Sequence, residues 1–341
     1  MGLWGGVERG EGRYRAETGC AAQALARGDS LVATAPPAAR WLLIESRAGW
    51  ARQALSSLQS AAGMERSLGD EVGRLCRELG IRPVLIRRYG RYEQDERRGR
   101  VEPPRGGQGQ RGQGQRGPGQ LVQRGEWGRR WGLVDCRAGL REVRWGELVA
   151  DEQLLEVLAG RELGAVSNEP VYLVCTHGRH DACCAVWGRP VAAALAEAYP
   201  LRTWECSHIG GDRFAANVIT LPNGLFYGQV SPNRAVELVE QDAAGVVVPD
   251  LLRGSGAFIP PVQAAQHFAR AAGHAPYVDN LLPRTVEELP GNRWRILLAS
   301  TTGLISVELS AHFDTIDARL TCAGSSPTNL RRFELHHLTT R

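Results

Sequence analysis

The stretch Cys175-Thr-His-Gly-Arg-His-Asp-Ala-Cys183-Cys184 sets two candidate sulfur donors, Cys175 and Cys184, with eight residues between them. A further 23 residues separate Cys184 from His208, in Glu205-Cys206-Ser-His208-Ile-Gly-Gly-Asp212-Arg213. Two thiolates from one loop, with an imidazole and a fourth group from a second, can converge on one metal centre. Soft sulfur combined with imidazole suits zinc or an iron–sulfur cluster. Gly210 and Gly211 allow a tight turn that brings backbone amides close to sulfur or to an anion.

The flanking pattern supplies the elements that must position these groups. Val171–Cys175 reads as a buried strand, and Arg189-Pro190 as the opening of an Ala-rich helix running to Ala198, with Pro190 in a tolerated first-turn position. Arg202–Cys206 is the next strand. Ala216–Leu221 and Leu225–Val230 flank Pro222-Asn223-Gly224, a hairpin signal, and Asn233–Gln241 closes the unit as a helix. Upstream, Trp41–Glu45, the helical stretches Trp50–Gln59 and Leu68–Leu79, Pro83–Arg87, the hairpin Gly132–Cys136/Leu140–Arg144 and a helix over Trp145–Leu158 predict a second α/β layer. Downstream, a helix over Pro260–Ala272 precedes strands at Arg293–Leu298, Leu304–Leu309 and Arg332–His337.

The chain has 341 residues and a net charge of +4, with 41 basic residues against 37 acidic. All the basic residues are Arg, which removes Schiff-base and P-loop lysine chemistry from consideration. The surplus is too small to mark a nucleic-acid binder. The Gly/Gln/Arg-rich segment 103–125 cannot bury enough apolar surface to order itself and lacks the aromatic residues on which RNA bases would stack. No stretch reaches transmembrane length and no signal peptide opens the chain, so a cytoplasmic protein without a membrane partner is expected. No pair of carboxylates stands out as the acid and nucleophile of a glycosidase.

Two Cys separated by eight residues and followed by His-X-Gly-Gly-His form the motif of the sucrase/ferredoxin-like proteins, which Val171–Val230 resembles closely and Trp41–Gln241 in layout. The resemblance implies an α/β fold. Its thioredoxin-like ferredoxin domain (163–245) would follow a small α/β domain of thioredoxin-compatible order (1–162) and precede a small C-terminal α+β extension (246–341). It also implies a [2Fe–2S] cluster held by two Cys and two His. Carried over, Cys175 and Cys184 match the Cys ligands and His208 the first His, whereas Asp212 stands where the motif has its second His.

Three arrangements stay open: Asp212 as a carboxylate ligand at the motif's own spacing, a substitute sulfur from Cys206 or Cys183, or no cluster. With Asp212 as ligand the oxidised centre carries about −1, between about −2 for four thiolates and about 0 for two thiolates and two imidazoles. The expected function is one-electron transfer with another redox protein as partner, a carrier more than an enzyme. The alternatives are a thioredoxin-type thiol redox enzyme using Cys183 or Cys184, and a zinc-stabilised binding module.

Neighbouring residues receive plainer readings. His177 and His180 are expected to be solvated or to support ligands, and Asp181 to cap a helix. Arg213 is a potential salt-bridge partner that would tie up Asp212. Cys20, Cys76, Cys136 and Cys322 are expected to be small buried apolar residues.

Overall fold

The computed structural model describes residues 14–59, 67–89 and 128–340. The Gly/Gln/Arg segment 103–125 lies outside them. After helix α1 (Cys20–Arg27), the apolar run Trp41-Leu-Leu-Ile forms the centre of β1 (Arg40–Glu45). Helix α2 (Leu68–Glu78) starts where the Ser67 side chain accepts a hydrogen bond from the Asp70 amide, and it returns the chain to β2 (Arg82–Arg87), parallel to β1. Antiparallel β3 (Arg129–Asp135) and β4 (Glu142–Leu148) follow, then α3 (Gln153–Leu158), giving the order β2-β1-β3-β4.

After the short β5 (Ala165–Ser167), the same topology recurs. The second half comprises β6 (Val171–Cys175), α4 (Ala182–Ala198), β7 (Thr203–Cys206) parallel to β6, antiparallel β8 (Val218–Leu221) and β9 (Leu225–Tyr227), and α5 (Pro232–Ala243). Its order is β7-β6-β8-β9, so each half has a thioredoxin-like arrangement of two parallel central strands and an antiparallel hairpin. The halves join where β2 pairs antiparallel with β7, and β10 (Leu252–Ser255) completes a ten-stranded mixed sheet.

Alternation along β1 divides the core. Trp41 and Leu43 belong to an apolar cluster that crosses the seam to Leu173, Trp204 and Ile219, whereas Leu42 and Ile44 pack with residues of α2 and α3. Beyond the large sheet, α6 (Pro260–Ala271) covers a separate four-stranded antiparallel sheet of β11 (Leu282–Leu289), β12 (Arg293–Ser300), β13 (Gly303–Ile316) and β14 (Thr328–Thr340).

Four local expectations change. Trp50–Gln59 contains only a 3₁₀ turn, Ala54–Ser57. The segment read as one helix from Trp145 is the end of β4 followed by the shorter α3. Strand β11 is additional; Pro283 and its mostly exposed residues hide an edge strand from the apolar pattern. Helix α4 starts at Ala182, eight residues before Pro190, capped by Asp181, whose side chain accepts a hydrogen bond from the Cys183 amide. It continues through Pro190, which cannot donate to the Val186 carbonyl one turn earlier.

The sequence explains how closely α4 sits on β6. A Cβ at Gly188 would lie 2.1 Å from the Cys175 carbonyl oxygen, so only glycine permits this approach. Gly188→Ala is expected to cost about 1–3 kcal/mol or more by forcing the helix off the strand, read as a lowered denaturation midpoint. An unchanged midpoint would contradict this close contact.

A second effect comes from Asp242 of α5, a buried carboxyl that accepts hydrogen bonds from Thr220 Oγ1 (2.7 Å) and Asn223 Nδ2 (3.0 Å). Burial pushes its pKa up to about 6, outweighing these donors. The folded chain therefore favours the protonated form. This contribution is complete below about pH 4 and is lost as pH rises through about 6, a difference of roughly 3 kcal/mol. Asp242→Asn should consequently gain stability relative to the wild type between pH 4 and 7.5. Denaturation midpoints of both proteins across that range check the prediction, and a constant difference would contradict it.

Candidate metal centre

Strand β6 ends at Cys175 and α4 begins just before Cys184, so the loop between them folds back over the strand end. The second loop leaves β7 at Cys206. Ser207 fixes its exit by pairing with Leu85 of β2: its amide donates to the Leu85 carbonyl (2.8 Å) and its Oγ accepts from the Leu85 amide (3.0 Å). The N-terminal half thus sets where His208 emerges. The loop then turns through Gly210 and Gly211, at φ +95° and +85°, into the 3₁₀ turn Asp212–Phe214.

Buried Arg253 holds this turn by donating to the carbonyls of Gly210 (2.8 Å) and Thr34 (2.7 Å) and to Asn217 Oδ1 (2.7 Å). A Cβ on Gly211 would come within 2.4 Å of that guanidinium. The left-handed backbone and the close approach both require glycine there.

The four residues singled out from the sequence meet. One donor atom each from Cys175, Cys184 and His208 lies within 4.8 Å of the others, and the same holds for His180, His208 and Asp212. The Cys184 thiol donates to Asp212 Oδ1 at 3.0 Å. His208 Nδ1 is 2.8 Å from that same oxygen, within ion-pair distance. A thiol and an imidazole that converge on one carboxylate oxygen suit a shared cation. Asp212 is 2% exposed at its side chain, against 25% for His208, so the carboxylate is buried and the imidazole edge faces outward.

Electrostatics leave Cys175 and Asp212 charged and keep protons on Cys184 and His208. Cys175 is held well below the usual thiol range by the Cys184 thiol, against the effect of burial, with His208 assisting. Cys184 is pushed up by the adjacent Cys175 sulfur, by burial and by Asp212. Burial opposes charge on His208, but Asp212 and Cys175 outweigh it and raise its pKa to about 9. Burial likewise opposes charge on Asp212, and His208, Cys184 and His180 overcome it, lowering the pKa. Since ligands bind as thiolate and neutral imidazole, metal uptake releases protons.

The remaining residues fall in informative places. His177 is buried: its Nε2 donates to the Ala51 carbonyl (2.8 Å) and its Nδ1 accepts from the His208 amide (3.2 Å), so it braces the His208 backbone against the N-terminal half. Trp50 packs edge-on against its ring at 5.6 Å.

His180 belongs with the donors instead. Its ring stacks on His208 at 3.7 Å, and its Nε2 is 3.6 Å from Asp212 Oδ2. Within the first loop only its His-type side chain hinted at this. Arg213 pairs with Asp29 at 3.4 Å and leaves Asp212 free of a guanidinium partner among the described ion pairs. Cys206, paired in register with Cys175, is fully buried and belongs to neither donor group.

Cys183 points to a different place, where its sulfur meets those of Cys20 and Cys322. These two were expected to be small buried apolar residues; Cys20 is buried in an apolar cluster with Cys183 and half-buried Cys322 packs against it, so the fold also brings their sulfurs together. Cys76 and Cys136 do lie in apolar clusters.

Residues 120–254 match the sucrase/ferredoxin-like family. This segment holds Cys175, Cys184, His208 and Asp212. The chain is also similar to "Altered inheritance of mitochondria protein 32" of Candida glabrata, with 30% identity over 104 residues, covering 26% of this chain and 33% of that protein. The chain therefore spans about a third of the length of that relative.

Among solved structures, one similar chain is a thioredoxin-like [2Fe–2S] ferredoxin from Aquifex aeolicus, with 22% identity, 25% of this chain and 91% of that chain covered, and a TM-score of 0.22. A cysteine-to-serine variant of that ferredoxin matches with 23% identity, 24% and 96% coverage, and the same TM-score. Among the described residues, no helix is long and apolar enough to cross a membrane.

Proposed function

We propose that the chain is an iron–sulfur electron carrier that holds a [2Fe–2S] cluster through Cys175, Cys184, His208 and Asp212. The observation that carries this reading is the convergence of two sulfurs, an imidazole nitrogen and a buried carboxylate from the two loops. Two thiolates on one iron and nitrogen and oxygen donors on the other fit this donor set, and the bound cluster supplies one-electron exchange.

The chain's own residues tune and shield the centre. Cys175 and Cys184 are sealed within the shared apolar cluster, His177 fixes the His208 backbone, and Arg253 fixes the glycine turn. Among the described residues of the centre, only the imidazole edge of His180 and His208, 32% and 25% exposed at the side chain, approaches solvent. That edge is where a redox protein partner in the cytoplasm would exchange electrons with the centre.

The stacked position of His180 favours a second ligand set, with His180 in place of Asp212. A potentiometric titration of the purified chain tests the function: one reversible one-electron wave is expected, and its absence would contradict the carrier. Pulsed EPR of the reduced protein distinguishes the ligand sets, with one coordinated imidazole nitrogen expected for Asp212 ligation and two for His180 ligation.

A further inference from the structure

We propose a second metal site, for a single structural zinc ion, formed by Cys20, Cys183, Cys322 and Asp181 and separate from the first centre. It rests on residues that the electron-carrier reading does not use. Cys183 and Cys184 are neighbours in the first turn of α4, but their side chains join different clusters. Cys20 opens α1 in the N-terminal segment, and Cys322 lies in the connection between β13 and β14.

The distances match one tetrahedral ion. Cys183 Sγ is 3.5 Å from Cys322 Sγ, which is 3.7 Å from Cys20 Sγ. Cys20 Sγ is 3.7 Å from Asp181 Oδ2, and one donor atom from each of the four residues lies within 4.8 Å of the others. Zinc–sulfur bonds of about 2.3 Å at tetrahedral angles place sulfurs about 3.8 Å apart, and a sulfur and a carboxylate oxygen about 3.5 Å apart. A disulfide needs its sulfurs about 1.5 Å closer than the Cys183–Cys322 pair.

Charge points to the same ligand. Asp181 is buried, and its oxygens accept from the Cys183 amide (2.9 Å) and the Cys322 amide (2.6 Å). Among the described residues, no Arg or His forms an ion pair with it. Three buried or half-buried thiols therefore surround a buried carboxylate whose partners among the described residues are two backbone amides and the Cys20 thiol, with no ion-paired cation. A dication supplies the missing positive charge and turns three soft groups into favourable ligands. The packing keeps this space open to sulfur: a Cβ on Gly19 would come within 2.7 Å of Cys183 Sγ.

Loaded, the site ties the N-terminal helix, the connection in the C-terminal sheet and the first turn of α4 to one point. The residue after Cys183 is a sulfur donor of the first centre. The zinc therefore braces Cys184 from outside the electron-transfer site, and binding free energy contributes directly to folding.

The test is a metal count on the full chain purified without air. About one zinc per chain is expected alongside the iron of the first centre. Cys20→Ser and Cys322→Ser should each lose the zinc while retaining iron, and Cys175→Ser should lose iron while retaining zinc. If the Cys20→Ser and Cys322→Ser variants do not fold, the wild type grown with cobalt in place of zinc provides the readout. An intense thiolate-to-cobalt charge-transfer band is expected, and it should persist in Cys175→Ser.

Three results would overturn the site: wild type with no zinc or cobalt, zinc lost with Cys175 but kept without Cys20, or a Cys183–Cys322 disulfide detected by mass spectrometry in the metal-free protein. Zinc present without iron, lost in Cys20→Ser and kept in Cys175→Ser, would overturn the electron-carrier reading and leave this site standing.

Discussion

Cys175→Ser is expected to remove nearly all of the iron and the visible absorbance while leaving the chain folded. Serine is a harder, far less acidic donor than the thiolate it replaces. The backbone at this position cannot shift to compensate, because the Cys175 amide donates to the Asn217 carbonyl at 3.0 Å and α4 presses on the Cys175 carbonyl at Gly188. The sulfur that could substitute is Cys206, directly beside it in register on β7. The comparison is therefore made in Cys175→Ser and in Cys175→Ser/Cys206→Ser. Both should fall from about two irons per chain to near zero, with denaturation midpoints close to wild type. Full iron retention in the double variant would show that Cys175 is not a ligand.

Asp212→His should raise the reduction potential by roughly 100 mV or more, because replacing a carboxylate by a neutral imidazole shifts the oxidised centre from about −1 to about 0. The wild-type potential itself should fall between about −400 mV, as in plant-type ferredoxins, and the two-His range that begins near −150 mV. The substitution suits the site because Asp212 already faces His208 and the Cys184 sulfur. Voltammetry of both proteins at one pH provides the check. Equal potentials would remove Asp212 from the ligand set and direct attention to His180.

Where chemistry was carried by local order, the sequence was readable. Val171–Cys175 is a run of apolar residues ending in a donor, and it is β6 residue for residue. Asp181 was legible as a cap from its residue type, and it does begin α4. The same helix also shows the limit. Pro190 reads locally as a start, but the Asp181 cap and the glycine contact at Gly188 allow the helix to begin earlier and carry the proline inside.

Trp145 looked helical because apolar spacing over a short run fits either element. Its stacking on Trp204 at 5.6 Å links β4 to the other half, a contact that no window of sequence contains. The cluster of Cys20, Cys183 and Cys322 was hidden for the same reason. Its members have no shared spacing and meet only because the C-terminal sheet and the N-terminal helix both reach the start of α4. The stacking of His180 on His208 was not legible, because a loop histidine carries no signal of the ring it packs against.

The central claim is that Cys175, Cys184, His208 and Asp212 hold a redox-active cluster. Its most direct test is a count of iron and acid-labile sulfide on anaerobically purified protein, with an EPR spectrum after reduction. The account predicts brown protein with about two irons and two sulfides per chain and a spin-one-half signal in the reduced state. Colourless protein without sulfide and without that signal would contradict it.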